Sequence, residues 1–245
     1  MKAARTRRVG ALVAVAAVGT TFVAACSSPQ PSYDGAASIL ADRVNGSMAS
    51  YSNVPTTIAE ALPTTRYVSA VNLDSGTFSD LVVTGRFTGW QRGVATVWPA
   101  GGGDSGTEVD WDDDAADTRT ILLTFTVDST VAAAEGVSAA RELTVRVPLD
   151  GGVRPGDVGD GLTGAGETVV FLRHPSNPSV ARLWSIAGDG GFVGTIDDAG
   201  SVTMGVIERA DDTSWLSALV PDVDGLTIDA LRDDAMHPTT VSFGG

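Results

Sequence analysis

Hydrophobic positions recur along this chain at two periods, and the change from one to the other divides it. Between positions 34 and 51, Ile39, Leu40, Val44 and Met48 fall near the 3.6-residue period of an amphipathic helix. Asp34 stands where a cap is expected, and Gly46 weakens the far end. Pro55 and Pro63 then bracket a stretch, 57–62, that fits one or two helical turns. From Tyr67 onward the period is two. Ile121, Leu123, Phe125 and Val127 point one way, with threonines mostly on the other face. Leu143, Val145, Val147 and Leu149 alternate with Glu142, Thr144, Arg146 and Pro148. Both stretches predict strands with one buried and one solvated face.

Segments 81–90, 93–98, 168–173 and 182–186 read as further strands. Segments 192–196 and 201–206 flank Asp197, Asp198, Ala199 and Gly200, a four-residue hairpin loop. Gly85 and Gly89 predict sharp coiling of the strand that contains them. Segment 151–167, with seven glycines and a turn at Arg154-Pro155-Gly156-Asp157, reads as a floppy connection without a phosphate-loop pattern. After Glu208 the chain becomes acidic and loop-like. A short helix follows at 226–232, with Thr227 as its cap and Asp229 near its positive end.

Seven or eight short strands with glycine-rich turns and no βαβ spacing predict a mainly β fold. The expected architecture is a small antiparallel barrel or sandwich with a short helix at each end. The order of a glycine-bent strand, a hairpin, two clean strands, a turn and the buried run from Thr168 resembles OB-like barrels of uncharacterised actinobacterial secreted proteins. That likeness implies a fold and carries no function. The expected divisions are a signal peptide at 1–25, a tether at 26–33, a helical segment at 34–66, the barrel at 67–207 and an acidic segment at 208–245.

The N-terminus has its own logic. Lys2, Arg5, Arg7 and Arg8 precede an apolar run, 9–25, broken only by Gly10, Gly19, Thr20 and Thr21. A basic start, a short apolar stretch and small residues at its end are the parts of an export signal. Seventeen residues rich in alanine are marginal for a permanent span, which needs roughly 20 strongly apolar ones. Arg7-Arg8 hints at twin-arginine export, but Val9-Gly10 is a poor continuation, and the general secretory route is expected.

The run ends Val23-Ala24-Ala25-Cys26, and Cys26 is the only cysteine of the chain. This resembles the lipobox of bacterial lipoproteins. The resemblance implies cleavage between Ala25 and Cys26, acylation of the Cys26 sulfur, and anchoring on the extracytoplasmic face of the cell membrane. Two or three acyl chains anchor stably where one alone is marginal.

All 30 acidic residues lie after Cys26, facing 12 arginines, so the processed chain carries a net charge of −18. Nucleic acid is excluded as an expected partner, because its phosphates require basic neutralisation. An anionic membrane surface would repel the domain, leaving the lipid to hold it. The absence of lysine after Lys2, with abundant Ala, Gly, Val, Asp and Arg, suggests a high-GC and hence actinobacterial genome.

Several short motifs invite a chemical reading. Gly103-Asp104-Ser105-Gly106 matches the nucleophile loop of trypsin-like proteases, but both histidines, His174 and His237, follow it instead of preceding it. Each histidine precedes a proline and reads as a loop residue, and two histidines alone do not complete a zinc site. From Asp104 to Asp117 run seven carboxylates: Asp104, Glu108, Asp110, Asp112, Asp113, Asp114 and Asp117. Asp110, Asp112 and Asp114 match the first three ligand positions of a calcium loop, but Ala115 and Ile121 occupy the places of its glycine and its glutamate. A solvated, mobile loop is the plainer expectation, with Trp111 either pinning it or forming a contact surface. Trp90, Trp98 and Trp184 are expected in the core rather than on a ligand platform.

No catalytic set, metal site or cofactor is therefore expected. The reading is a tethered, non-catalytic module that binds an envelope protein or a small ligand. The alternatives are an envelope hydrolase working through Asp and Glu, and a divalent-cation binder through the acidic loop.

Overall fold

The structure is a computed structural model and describes residues 31–46, 54–69, 76–99, 106–174 and 183–243. It is mainly β. Helix α1 (Tyr33–Gly46) and a 3-10 turn (Ala59–Ala61) lead into β1 (Arg66–Ser69), β2 (Leu81–Val97), β3 (Thr107–Val109), β4 (Thr118–Ala133) and β5 (Glu142–Asp150). Helix α2 (Pro155–Thr163) precedes β6 (Thr168–Arg173), β7 (Trp184–Ile186), β8 (Val193–Ile196) and β9 (Val202–Thr203). The last elements are α3 (Val220–Val223), α4 (Ile228–Ala235) and β10 (Thr240–Phe243).

Eight strands form one sheet in the order β3-β2-β4-β5-β7-β6-β8-β9, and β2 pairs with β6 as well. The pairings thus run β2-β4-β5-β7-β6 and return to β2. The sheet is mixed, where a wholly antiparallel one was expected, because β5 and β7 run parallel. Parallel neighbours require a long crossover. The chain supplies it through α2 and β6, which lie between β5 and β7 in sequence. A second, two-stranded parallel sheet joins β1 to β10, a pairing that the sequence pattern did not announce.

The period-two reading of β4 and β5 holds. Ile121, Leu123, Phe125, Leu143, Val145, Val147 and Leu149 are all buried. Segments 81–90 and 93–98, expected as two strands, are one 17-residue strand whose pairing with β4 shifts register at four places. Glycine makes the bends possible. A Cβ on Gly85 would sit 2.0 Å from the Thr126 carbonyl oxygen, and one on Gly93 would sit 2.6 Å from that of Thr120.

Segment 151–167 is not a floppy turn. Pro155, with its fixed φ and missing N–H, starts α2 at the first helical position. The glycines that hid the helix let it pack closely: a Cβ on Gly159 would strike the Trp90 ring at 2.5 Å, and one on Gly161 would meet the Ser32 carbonyl oxygen at 2.6 Å. Val158 and Leu162 are fully buried beneath.

Two smaller corrections concern the ends. The Ser32 hydroxyl accepts the Gly35 N–H at 3.3 Å, so Ser32 serves where Asp34 was expected, and Asp34 instead pairs with Arg209 at 3.0 Å. The stretch after Glu208 is more than loop, for Leu216, Leu219 and Val223 are buried in the same core as α1 and the sheet. Thr227 does cap α4, its hydroxyl accepting the Ala230 N–H at 3.1 Å. Among the described residues no helix is long and apolar enough to cross a membrane.

Candidate functional site

A cleft of about 560 Å³ opens between the β8–β9 turn, the start of α4 and the part of the β2–β4 ladder that holds Thr84 and Ser129. Its floor is built where Thr84 of β2 faces Ser129 of β4, their hydroxyls 2.8 Å apart. Thr84 and Ser129 occupy this floor because β2 and β4 change register on either side of them.

One wall is the β8–β9 turn. The Asp197 carboxylate organises it, accepting the Ala199 and Ser201 N–H groups at 2.9 Å each, while Gly200 takes a φ of +82°. The Asp-rich turn with glycine in the left-handed position is the local device the hairpin needs. The turn is tied to the opposite wall, because the Ile228 N–H donates to the Gly200 carbonyl at 3.1 Å and the Val202 N–H to that of Leu226 at 2.8 Å. From α4, Arg232 pairs with Asp229 at 3.2 Å and reaches the Ser129 hydroxyl at 3.5 Å.

Asp128, Glu167, Asp197, Asp198 and Asp229 line this cleft together with one cation, Arg232. The site is therefore strongly electronegative and rich in acceptors, with hydroxyls at its base. It suits ligands that bring donors or positive charge. It holds no histidine, and Ser129 and Thr84 bond to each other, so the cleft offers no serine–histidine pair. From sequence, 197–200 is expected as a turn and Asp229 as a helix-end charge, and neither Asp128 nor Glu167 stands out. One signal was available: Ser129 stands where the apolar alternation through Val127 calls for another inward hydrophobic residue.

The residues singled out from sequence lie elsewhere. Ala25, Cys26, Gly103, Asp104 and Ser105 fall outside the described residues. His174 lies against Trp184 with ring centroids 3.8 Å apart and planes tilted by 37°, and its Nδ1 is 3.7 Å from Asp80. His237 sits on the end of α4 beside the Asp233 carbonyl at 2.8 Å. The two histidines are thus held by different partners. Trp184 is buried, Trp90 is half-buried and hydrogen-bonded to Asp160 at 2.7 Å, and Trp98 is 45% exposed, against the expectation of a core position.

The acidic loop is more ordered than charge repulsion alone predicts. Arg119 enters it from β4 and donates to the carbonyl oxygens of Trp111 at 2.9 Å, Asp113 at 2.8 Å and Gly151. Asp112 pairs with Arg92 at 3.2 Å, whose guanidinium also lies 5.6 Å from the Trp111 ring centre. Asp117 accepts the Trp98 N–H at 2.7 Å and Asp113 the Ala115 N–H at 2.8 Å. Trp111 packs on the core and pins the loop. Among the described residues, no three carboxylates or histidines converge as metal ligands do.

Compared with protein-family models, with curated proteins and with solved structures, the chain finds no match in any of the three.

Proposed function

We propose that this chain is a cell-envelope lipoprotein, anchored through Cys26 on the extracytoplasmic face of the membrane, and that its folded part is a non-catalytic binding module. The observation that carries the anchor is the coincidence of basic start, apolar run, Val23-Ala24-Ala25 and a sole cysteine in the first 26 residues. The binding role is supported by the acceptor-rich cleft, whose hydroxyls bond to each other instead of to a base.

The β2-β4-β5-β7-β6 cycle is read as an OB-like barrel. Support comes from the parallel β5–β7 pair, the β2–β6 pairing and the placement of α2 between β5 and β6. Detergent phase partitioning tests the anchor. Native protein is expected in the detergent phase and the Cys26→Ala variant in the aqueous phase or as an unprocessed precursor. Finding both in the aqueous phase removes the anchor.

A second reading, an envelope hydrolase acting through carboxylates, is favoured by one observation: Asp128, Glu167, Asp198 and Asp229 share a single cleft. Glycosidic hydrolysis needs two carboxyl groups flanking the scissile bond. Release of sugar ends from envelope glycans by the wild type, abolished in Glu167→Gln, would establish that reading. No release by the wild type leaves the binding role.

A further inference from the structure

A second, smaller site lies on the outer face of the sheet at the parallel β5–β7 junction. Arg146 of β5 and Ser185 of β7 are register partners there, and Arg173 of β6 is the register partner of Ser185. Residues directly opposite in a sheet point to the same face. Their neighbours Val145, Val147, Trp184, Ile186 and Leu172 are buried on the inner face, which puts Arg146, Ser185 and Arg173 on the outer one.

Between Arg146 and Ser185 the surface opens into a pocket of about 100 Å³, walled also by Pro148, Asp189 and Gly190. A space of this size admits several waters or the charged end of a small ligand.

The chemistry of the pocket is unbalanced. The Arg146 Nε is buried from solvent and has no hydrogen-bond acceptor. A buried N–H without a partner forfeits its hydration with nothing in return, so such groups are normally satisfied. Among the described residues neither Arg146 nor Arg173 is placed in an ion pair, in a chain where carboxylates outnumber basic residues 30 to 16. The wall opposite is built from an irregular turn: Gly188, Asp189 and Gly190 all have positive φ, at 61°, 55° and 106°. A non-glycine residue held in the left-handed region stores strain of a kind that clusters at binding sites.

We propose that this pocket binds the carboxylate of a ligand, with Arg146 as its principal anchor and Ser185 as a second donor. A guanidinium offers several N–H donors in a planar arrangement that suits the two oxygens of a carboxylate, and Arg146 lines the pocket. The Asp189 carboxylate on the wall adds negative potential, which disfavours a doubly charged phosphate more than a singly charged carboxylate. Arg173 adds positive potential along the strand row that leads to Ser185. This site is separate from the acidic cleft and does not rest on the role given to it.

NMR titration of the folded chain tests the proposal, following the Arg146 Nε–H and the Ser185 and Gly190 amides. Acetate and N-acetylglycine are the probes, with chloride at equal ionic strength as the reference. The expected result is a saturable shift of all three signals with either carboxylate and none with chloride. Tighter binding of N-acetylglycine identifies a peptide carboxy terminus as the natural group, and equal binding identifies a small carboxylate. Arg146→Gln and Arg146→Lys are expected to weaken the response roughly tenfold or more, because neither keeps that planar arrangement of donors. Ser185→Ala weakens it severalfold, whereas Arg141→Gln, an exposed arginine outside the pocket, leaves it unchanged. Absence of saturation in the wild type, tighter binding of phosphate than of acetate, or equal effects of Arg141→Gln and Arg146→Lys overturns the proposal. Should Arg146→Gln fail to fold, Arg146→Lys and Ser185→Ala carry the test.

Discussion

Two single side chains do work out of proportion to their size. Tyr33 joins α1 to the sheet: its hydroxyl donates to the Val193 carbonyl at 3.0 Å and accepts the Gly205 N–H at 3.3 Å. Burial is the main cause that pushes its hydroxyl from 10.0 up to about 12, and burial likewise raises that of Tyr67, with Glu60 adding to it. A tyrosine raised on folding contributes stability that is whole below its unfolded pKa and lost as pH climbs through the folded one. For Tyr33 that window runs from about pH 10 to about 12. Tyr33→Phe is therefore expected to lower stability at neutral pH by about 1 kcal/mol and to flatten the alkaline limb of the stability curve. Urea unfolding across the alkaline range, followed by tyrosinate absorbance, measures both.

Arg119 is the second such residue. Its three carbonyl contacts hold the acidic loop, and hydrogen bonds to a charged group contribute about 1.5–3 kcal/mol each. Arg119→Met is expected to cost about 2–3 kcal/mol and to speed amide exchange from Trp111 to Ala116. Unchanged exchange in that stretch would mean that Trp111 and the Arg92–Asp112 pair hold the loop without Arg119.

Among the elements, alternation was the legible signal and glycine the misleading one. The inward faces of β4 and β5 could be read because Ile121, Leu123, Phe125, Leu143, Val145 and Val147 alternate without a break. The hairpin at 197–200 and the Thr227 cap were equally local and equally readable. Helix α2 was not, because glycine inside a helix costs about 1 kcal/mol relative to alanine, and low propensity was read as absence of helix. Its reason is tertiary: Gly159 faces Trp90 and Gly161 faces α1, where any side chain collides. The cleft stayed hidden for the same kind of reason, since Asp128, Glu167 and Asp229 are brought together only by strand register and by the docking of α4. Gly161→Ala separates propensity from packing. Alanine gains up to about 1 kcal/mol of helix propensity, but overpacking against the Ser32 carbonyl and the Ala36 methyl costs roughly 1–3 kcal/mol. A lower Tm is expected for Gly161→Ala, and a higher one for the same change at Gly152, where no atom lies within 4 Å. Thermal melts of both variants decide it.

At the scale of the whole molecule, a strongly acidic stretch follows a basic and then apolar N-terminal sequence. The 30 carboxylates all lie beyond Cys26, and the four basic residues before it all lie in the first eight positions. That asymmetry suits a domain displayed above an anionic bilayer and held by lipid, since its own charge gives the surface no grip. Raising ionic strength is therefore not expected to release native protein from isolated membranes, because acyl chains are held by burial and not by charge. The intact mass of protein extracted from its own membranes tests the central claim most directly. The account predicts a chain that begins at Cys26, heavier than its sequence by a diacylglyceryl group and, where the amine is modified, by one further acyl chain. A mass equal to the full 245 residues, or to a cleaved chain without lipid, contradicts it.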